Sequence, residues 1–344
     1  EETVTFGMDT GLKKINELSE LKLEDVYGTH YTLQNLGGKP GLQASPVTCG
    51  SRPAKVLARR QESLLESDYD NPDTYGDDRI LGGNFASHGE VPWQANIRIM
   101  TRNKDRTEYK PECSGAIINE YWIITVAHCV KGEAPSSFRV TVGDHHLARN
   151  DEGEQQFAVS KVISHENYRL GSFDYDIAIL KIQPTKSGAG IKFNSFVQPI
   201  CLPKETDYPG VGTHMIVSGW GRDKLSGASS QPILKMSMLP LIDQKECSQL
   251  FKGQITLRQF CAGYKNGPTD ICRGDSGAPA AYLFAEMYIL YGVASFGTDC
   301  PFPNYPSAFT NVRSYQHWII KNMQLRSDNK LERTLPDRPH WSDS

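Results

Sequence analysis

From residue 80 onward the chain is cut into short, partly alternating apolar runs at 94–100, 138–142, 157–163, 177–182, 215–218 and 287–294, separated by clusters of Gly, Pro, Asn and Asp. Runs of this length are strands rather than helices, and a single strand cannot bury its apolar face alone. They must close on one another, which predicts an all-β barrel or sandwich. A helical period emerges only near the end, where Tyr315, Trp318, Ile319 and Met323 share one face. Hydrophobic residues at 38% and charged residues at 22% supply a real core. A net charge of -3 excludes the dense basic field that phosphate backbones require, so nucleic acid is not an expected partner. The longest apolar run, 280–296, is interrupted by Glu286 and is too short for a comfortable membrane span.

Residues 1–79 carry nine Lys/Arg against fourteen Asp/Glu, net -5, whereas 80–344 carry 28 against 26, net +2. The shift marks a boundary between an N-terminal segment and the strand-rich part. Within the first segment, 37–41 reads as a loop, 59–67 as a short charged helix with Leu64 and Leu65 as its apolar contact, and 68–78 as an exposed, protease-accessible stretch. Glu1-Glu2-Thr3 has neither an initiator Met nor a signal pattern, as expected of a piece processed or excised from a longer precursor. Eight cysteines, with no Cys-x-x-Cys pair, fit disulfides better than zinc or redox chemistry and point to an oxidising, extracellular compartment.

Three settings carry chemistry. In Gly274-Asp275-Ser276-Gly277, small neighbours let the backbone turn tightly and present the Ser276 hydroxyl. Alone it is a weak signal, since surface turns of this composition are common. A hydroxyl at its ordinary pKa is a poor nucleophile; it needs a base, usually His, and the base needs a carboxylate to hold its tautomer. His128 follows the strand-like Trp122-Ile123-Ile124 in Thr125-Val126-Ala127-His128-Cys129, and Asp176 precedes a strand in Asp174-Tyr175-Asp176-Ile177-Ala178-Ile179-Leu180. With Arg79-Ile80-Leu81-Gly82-Gly83, Val217-Ser218-Gly219-Trp220-Gly221 and Gln198-Pro199-Ile200-Cys201-Leu202-Pro203, the set resembles the chymotrypsin/trypsin family of serine proteases over about residues 80–324.

That resemblance implies two antiparallel six-stranded β-barrels with a C-terminal helix, a light-chain extension over 1–79, a protease domain over 80–324 and a tail over 325–344. It assigns His128 as general base, Asp176 as its orienting carboxylate and Ser276 as nucleophile, with Asp174 a nearby decoy. The backbone N–H groups of Gly274 and Ser276 would form the oxyanion hole. Cleavage between Arg79 and Ile80 would free an ammonium that pairs with Asp275, so the intact chain reads as a zymogen. The implied disulfides are Cys113–Cys129, Cys247–Cys261, Cys272–Cys300 and Cys49–Cys201, the last tethering the two chains after cleavage. Implied partners are protein substrates, an upstream trypsin-like activating protease and serpin-type inhibitors, in an extracellular proteolytic cascade. The stretch Cys49-Gly50-Ser51-Arg52-Pro53, with Leu64-Leu65-Glu66-Ser67 and Tyr69, is also similar to the light-chain region of prothrombin. No long insertion follows His128-Cys129, however, and Pro306 stands where sodium-binding relatives carry Tyr.

Asp270 matches the carboxylate at the base of a trypsin-like pocket, where it would bind substrate Arg or Lys, with Ser295, Gly297 and Ser307 lining the same site. Four neighbours depart from the family pattern: Ile271 replaces a small residue, Ser307 a pocket-wall Gly, Phe296 the usual Trp, and Ala278 the second Gly after the nucleophile. Asp144, Glu152 and Glu154 lie in a loop that binds calcium in relatives, which makes calcium the one cofactor to consider. The competing readings are a catalytically weak, protease-like binding or regulatory protein, fed by Ile271, Ser307 and Ala278, and a carboxylic ester hydrolase using the same triad.

Overall fold

A computed structural model describes residues 48–52, 84–103, 106–221, 232–264, 275–297 and 306–324. The expected helix at 59–67, Arg79-Ile80 and the 325–344 tail lie outside the described residues.

Strands β2 (Gln94–Asn103), β3 (Arg106–Ile117), β4 (Trp122–Thr125), β5 (Phe138–Val142), β6 (Gln155–Ser164) and β7 (Ala178–Ile182) form a closed antiparallel barrel in the order β2-β3-β4-β7-β6-β5. Closure follows from the side-chain pattern. Phe138, Val140 and Val142 alternate inward on β5, Phe157 and Val159 on β6, and β4 is buried along its whole length. Ile97, Ile117, Ile123, Ile124, Ile179, Leu180 and Ile182 have no exposed surface, and since neighbours such as Ile123 and Ile124 face opposite sides, the barrel wall is covered as well as filled; each such burial is worth roughly 1.5–3 kcal/mol. Pro111 fits in β3 because the ladder slips there: Ile97 pairs Cys113 but Arg98 pairs Pro111, leaving Glu112 as the extra residue of a bulge.

The second half comprises β1 (Asn84–Phe85), β8 (His214–Gly219), β9 (Lys235–Pro240), β10 (Gln259–Ala262), β11 (Pro279–Phe284), β12 (Met287–Phe296) and β13 (Ser307–Asn311), in the order β1-β9-β8-β11-β12-β13-β10. The six strands from β9 to β10 curl into the second barrel expected from the sequence, and the two-residue β1 adds a seventh. The curl closes loosely, through the Leu241–Ala262 bridge and its hydrogen bonds Gly263 N to Pro240 O (3.0 Å) and Ile242 N to Cys261 O (2.9 Å). The ladder stops there because Asp243 caps the next helix, α1 (Gln244–Leu250), accepting from Lys245 N and Glu246 N. The C-terminal helix α2 (Gln316–Gln324) appears where the period places it and buries Trp318 and Ile319. Among the described residues no helix is long and apolar enough to cross a membrane.

Disulfides join Cys113 to Cys129, Cys247 to Cys261 and Cys49 to Cys201. The expected Cys272–Cys300 pair lies outside the described residues.

Candidate active site

His128 sits in a single 3-10 turn, Ala127–Cys129, that leaves the end of β4. Cys129 ties this turn to β3 through Cys113, so the imidazole is fixed from both sides. Asp176, with no exposed surface, stands just before β7, the neighbour of β4 in the barrel. Its Oδ2 lies 2.8 Å from His128 Nδ1, and its Oδ1 accepts from the His128 backbone N at 2.8 Å. An ionised carboxylate can only accept, so Nδ1 carries a proton, and in the neutral imidazole Nε2 then keeps its lone pair. The second barrel completes the setting: the Ser295 hydroxyl donates to Asp176 Oδ2 at 2.6 Å, and Thr310 Oγ1 donates to the Asp176 carbonyl at 2.7 Å. Burial pushes the neighbouring Tyr168 hydroxyl up to about 12, with the Asp176 charge adding to the effect.

Ser276 lies on a turn between the barrels, closed by Ala278 N donating to Asp275 O at 2.7 Å. Ser114 N on β3 holds the Ser276 carbonyl at 2.7 Å, so the turn is pinned to the barrel that carries His128. Gly277 follows at φ +80, and a Cβ there would collide with Ser114 O and Thr125 Oγ1. Among the described residues no hydrogen bond joins the Ser276 hydroxyl to His128 Nε2; such bonds are commonly long until a substrate is bound. The site thus brings together a hydroxyl, an imidazole with a free Nε2 and a buried carboxylate, a set able to form and break an acyl ester.

Asp275 is buried, and Gly221 N donates to its Oδ1 at 2.8 Å. A side chain at either Gly219 or Gly221 would occupy the position of its carboxylate oxygens. This close approach gives the Gly219-Trp220-Gly221 pattern its physical reason.

The specificity side is described in part. Asp270, Ile271 and Gly274 lie outside the described residues. Ser307 is buried at the start of β13, paired with Ala262 of β10. The Ser295 hydroxyl, expected in the substrate site, is turned to Asp176. Phe296 stacks on Phe173 with centroids 4.1 Å apart and meets Phe251 edge-on at 5.4 Å. The Ala278 methyl is fully buried in the core of the second barrel.

The loop expected to bind calcium gathers three acids, of which Asp144 and Glu154 were expected and Asp151 was not. Asp144, Asp151 and Glu154 offer oxygens within 4.8 Å of one another, whereas Glu152 is exposed and stands outside the group. Asp144 Oδ1 is buried without a hydrogen-bond partner, which suits a cation, but Oδ2 is already held by Asn96 at 2.8 Å and Arg98 at 3.1 Å. Burial raises the Glu154 pKa, with Asp144 adding to it. Asp151 is pulled the other way: burial opposes its ionisation, but the backbone N–H groups of His146 and His145 hold it low. These three carboxylates would hold a hard cation such as calcium, whose role there would be to neutralise them and stiffen the loop.

Sequence reasoning missed the ion pair between Asp174 and Arg258. Arg258, just before β10, donates Nε to Asp174 Oδ1 at 2.9 Å and Nη2 to Oδ2 at 2.6 Å. Burial opposes ionisation of Asp174, but the Arg258 hydrogen bonds and charge hold it below the ordinary carboxylate range. Nothing in the local sequence links positions 84 residues apart.

The description that matches the chain is Trypsin, over residues 80–319. The match begins at the residue after Arg79 and does not extend to residues 1–79. With the barrels and the Asp176–His128 pair already in place, a match over this much of the sequence means that the chain belongs to the trypsin family of serine proteases.

Proposed function

We propose that the chain is the zymogen of a secreted serine endopeptidase which, once cut between Arg79 and Ile80, hydrolyses peptide bonds after Arg, then Lys, within an extracellular proteolytic cascade. The observation that carries this reading is the 2.8 Å pair between buried Asp176 and His128 Nδ1, which leaves Nε2 free to act on the Ser276 hydroxyl. In the proposed mechanism His128 takes the Ser276 proton as Oγ attacks the scissile carbonyl, then returns it to the leaving amine. Asp176 stays ionised and stabilises the imidazolium. The N–H groups of Gly274 and Ser276 receive the oxyanion, each such donor being worth roughly a hundred- to a thousandfold in rate. Water then attacks the acyl ester by the same proton route.

The zymogen reading is supported by the Arg79-Ile80-Leu81-Gly82-Gly83 run and by the buried Asp275 carboxylate beside the nucleophile, which already accepts from Gly221 N. The new Ile80 ammonium would serve it and organise the adjacent Gly274 N–H. At the pocket base, Asp270 repays its desolvation only with a basic side chain, and the planar guanidinium engages it with two hydrogen bonds.

The test is cleavage at Arg79 followed by fluorophosphonate labelling and a peptide library. Labelling should appear only after cleavage and be lost in Ser276→Ala; the library should favour Arg before the scissile bond, and Asp270→Ser should remove that preference. Absence of labelling in the cleaved protein would favour the binding-protein reading. A preference for small apolar residues would overturn the pocket assignment alone.

A further inference from the structure

Asp176 is presented by an unusual piece of backbone. Tyr175, immediately before it, lies at φ +58, a left-handed conformation that is uncommon for a bulky residue. The turn is drawn tight by Ile177 N donating to Tyr175 O at 2.8 Å, so Asp176 stands at the apex of a three-residue turn. Left-handed backbone is unfavourable at a residue with a side chain and persists only where its surroundings hold it.

Those surroundings come from both barrels. Asp174 Oδ1 accepts the Tyr175 N–H at 3.0 Å, and the same carboxylate is gripped by Arg258 through two nitrogens and by Thr256 Oγ1 at 3.2 Å. The Arg258 guanidinium then lies over the Tyr175 ring, 4.5 Å from its centroid. His165 stacks on that ring at 4.9 Å, and Tyr315 meets it edge-on at 6.3 Å. Gln259 Nε2 donates to Phe173 O at 2.8 Å, and the Arg258 carbonyl is itself fixed by Asn311 N at 2.9 Å. The segment before β10 therefore straps the second barrel onto the loop that carries Asp176.

We propose that Arg258, acting through Asp174 and Tyr175, is a positioning residue for the Asp176–His128 pair. The inference rests on the proposed catalytic role of that pair. Arg258 touches neither Asp176 nor His128; it holds the turn from which Asp176 projects. Its side chain is about one-third exposed, so its ion pair alone would be a modest surface interaction. Its two simultaneous contacts, with the carboxylate and with the ring face, are what a lysine cannot reproduce.

The experiment compares Arg258→Met, Arg258→Lys and wild type in the cleaved protein by two readouts. The first is the downfield Nδ1 proton of His128, which reports the hydrogen bond to Asp176 whether or not the protein turns over substrate. It should broaden and move upfield in Arg258→Met. The second is steady-state hydrolysis, where kcat should fall about tenfold with KM changed less than twofold, and Arg258→Lys should recover part of the loss. In a Tyr175→Asn background, where the residue accepts left-handed backbone without the ring, Arg258→Met should cost at most a further twofold. An unchanged Nδ1 proton in a folded Arg258→Met protein would overturn the positioning role. A shifted proton in a protein that never labels with fluorophosphonate would support the role and overturn the catalytic reading instead.

Discussion

At Gly277 the backbone runs at φ +80 against Ser114 O and Thr125 Oγ1, so an added methyl would face both strain and collision. Gly277→Ala is expected to destabilise the fold by about 2–4 kcal/mol, through strain at a special φ together with overpacking. It should also abolish Ser276 labelling, because the turn that presents the hydroxyl must move; a melting curve and fluorophosphonate labelling check both. Ser295→Ala acts more gently. It removes the 2.6 Å donor to Asp176 Oδ2 in a buried site, leaving one acceptor position unmet. We expect kcat to fall severalfold with KM little changed, read from initial rates on a small substrate. Asp174→Asn tests the ion pair through pH. The folded pKa of Asp174 is depressed, so its stabilisation is present above the unfolded value of about 3.9 and disappears as pH falls through the lower folded value. The variant should be less stable than wild type at neutral pH and converge with it in strong acid, as measured by denaturant unfolding across pH.

The strand β11 turns into β12 through Ala285 and Glu286, both at positive φ, between the paired Phe284 and Met287. Two such residues in a two-residue loop match the twist of a hairpin, but Asn-Gly suits these conformations better than Ala-Glu. Replacing the pair with Asn-Gly should stabilise the protein by roughly 0.5–1 kcal/mol, visible as a higher melting temperature with unchanged activity. The helix α2 docks through a different chemistry. Trp318 stacks on His165 at 5.1 Å and donates Nε1 to Glu166 Oε2 at 2.8 Å. Burial lowers the pKa of His165, with Arg258 also lowering it and Glu166 and Asp174 raising it. A buried neutral His is charged more readily when unfolded, so its contribution is intact above about 6.5 and declines as pH falls toward the lower folded value. His165→Phe should therefore flatten the loss of stability between neutral and mildly acidic pH.

Across the whole molecule, Cys49–Cys201 links positions 152 residues apart and spans the Arg79-Ile80 bond in sequence. The anchor is more than a disulfide: Tyr288 N donates to Gly50 O at 2.9 Å, Gly50 N to Pro199 O at 2.8 Å, and the Arg52 guanidinium lies 4.3 Å from the Tyr288 ring centroid. After cleavage the protein should run as one band without reductant and as two with it. Separation without reductant would show that the tether is not formed.

Much of this was legible in the residue order. The spacing of short apolar runs determined an all-β domain, because period-two patterns bury only one face and must close on themselves. The settings of His128, Asp176 and Ser276 could be read locally, since each needs particular small or apolar neighbours to hold its backbone. What the sequence left open was most of the side-chain contacts that hold these groups in place. The Ser295 hydroxyl on Asp176 and the Arg258 clamp on Asp174 and Tyr175 depend on which side chains face each other. Those contacts are set by curl, register and packing, and none of these leaves a short-range pattern in the chain.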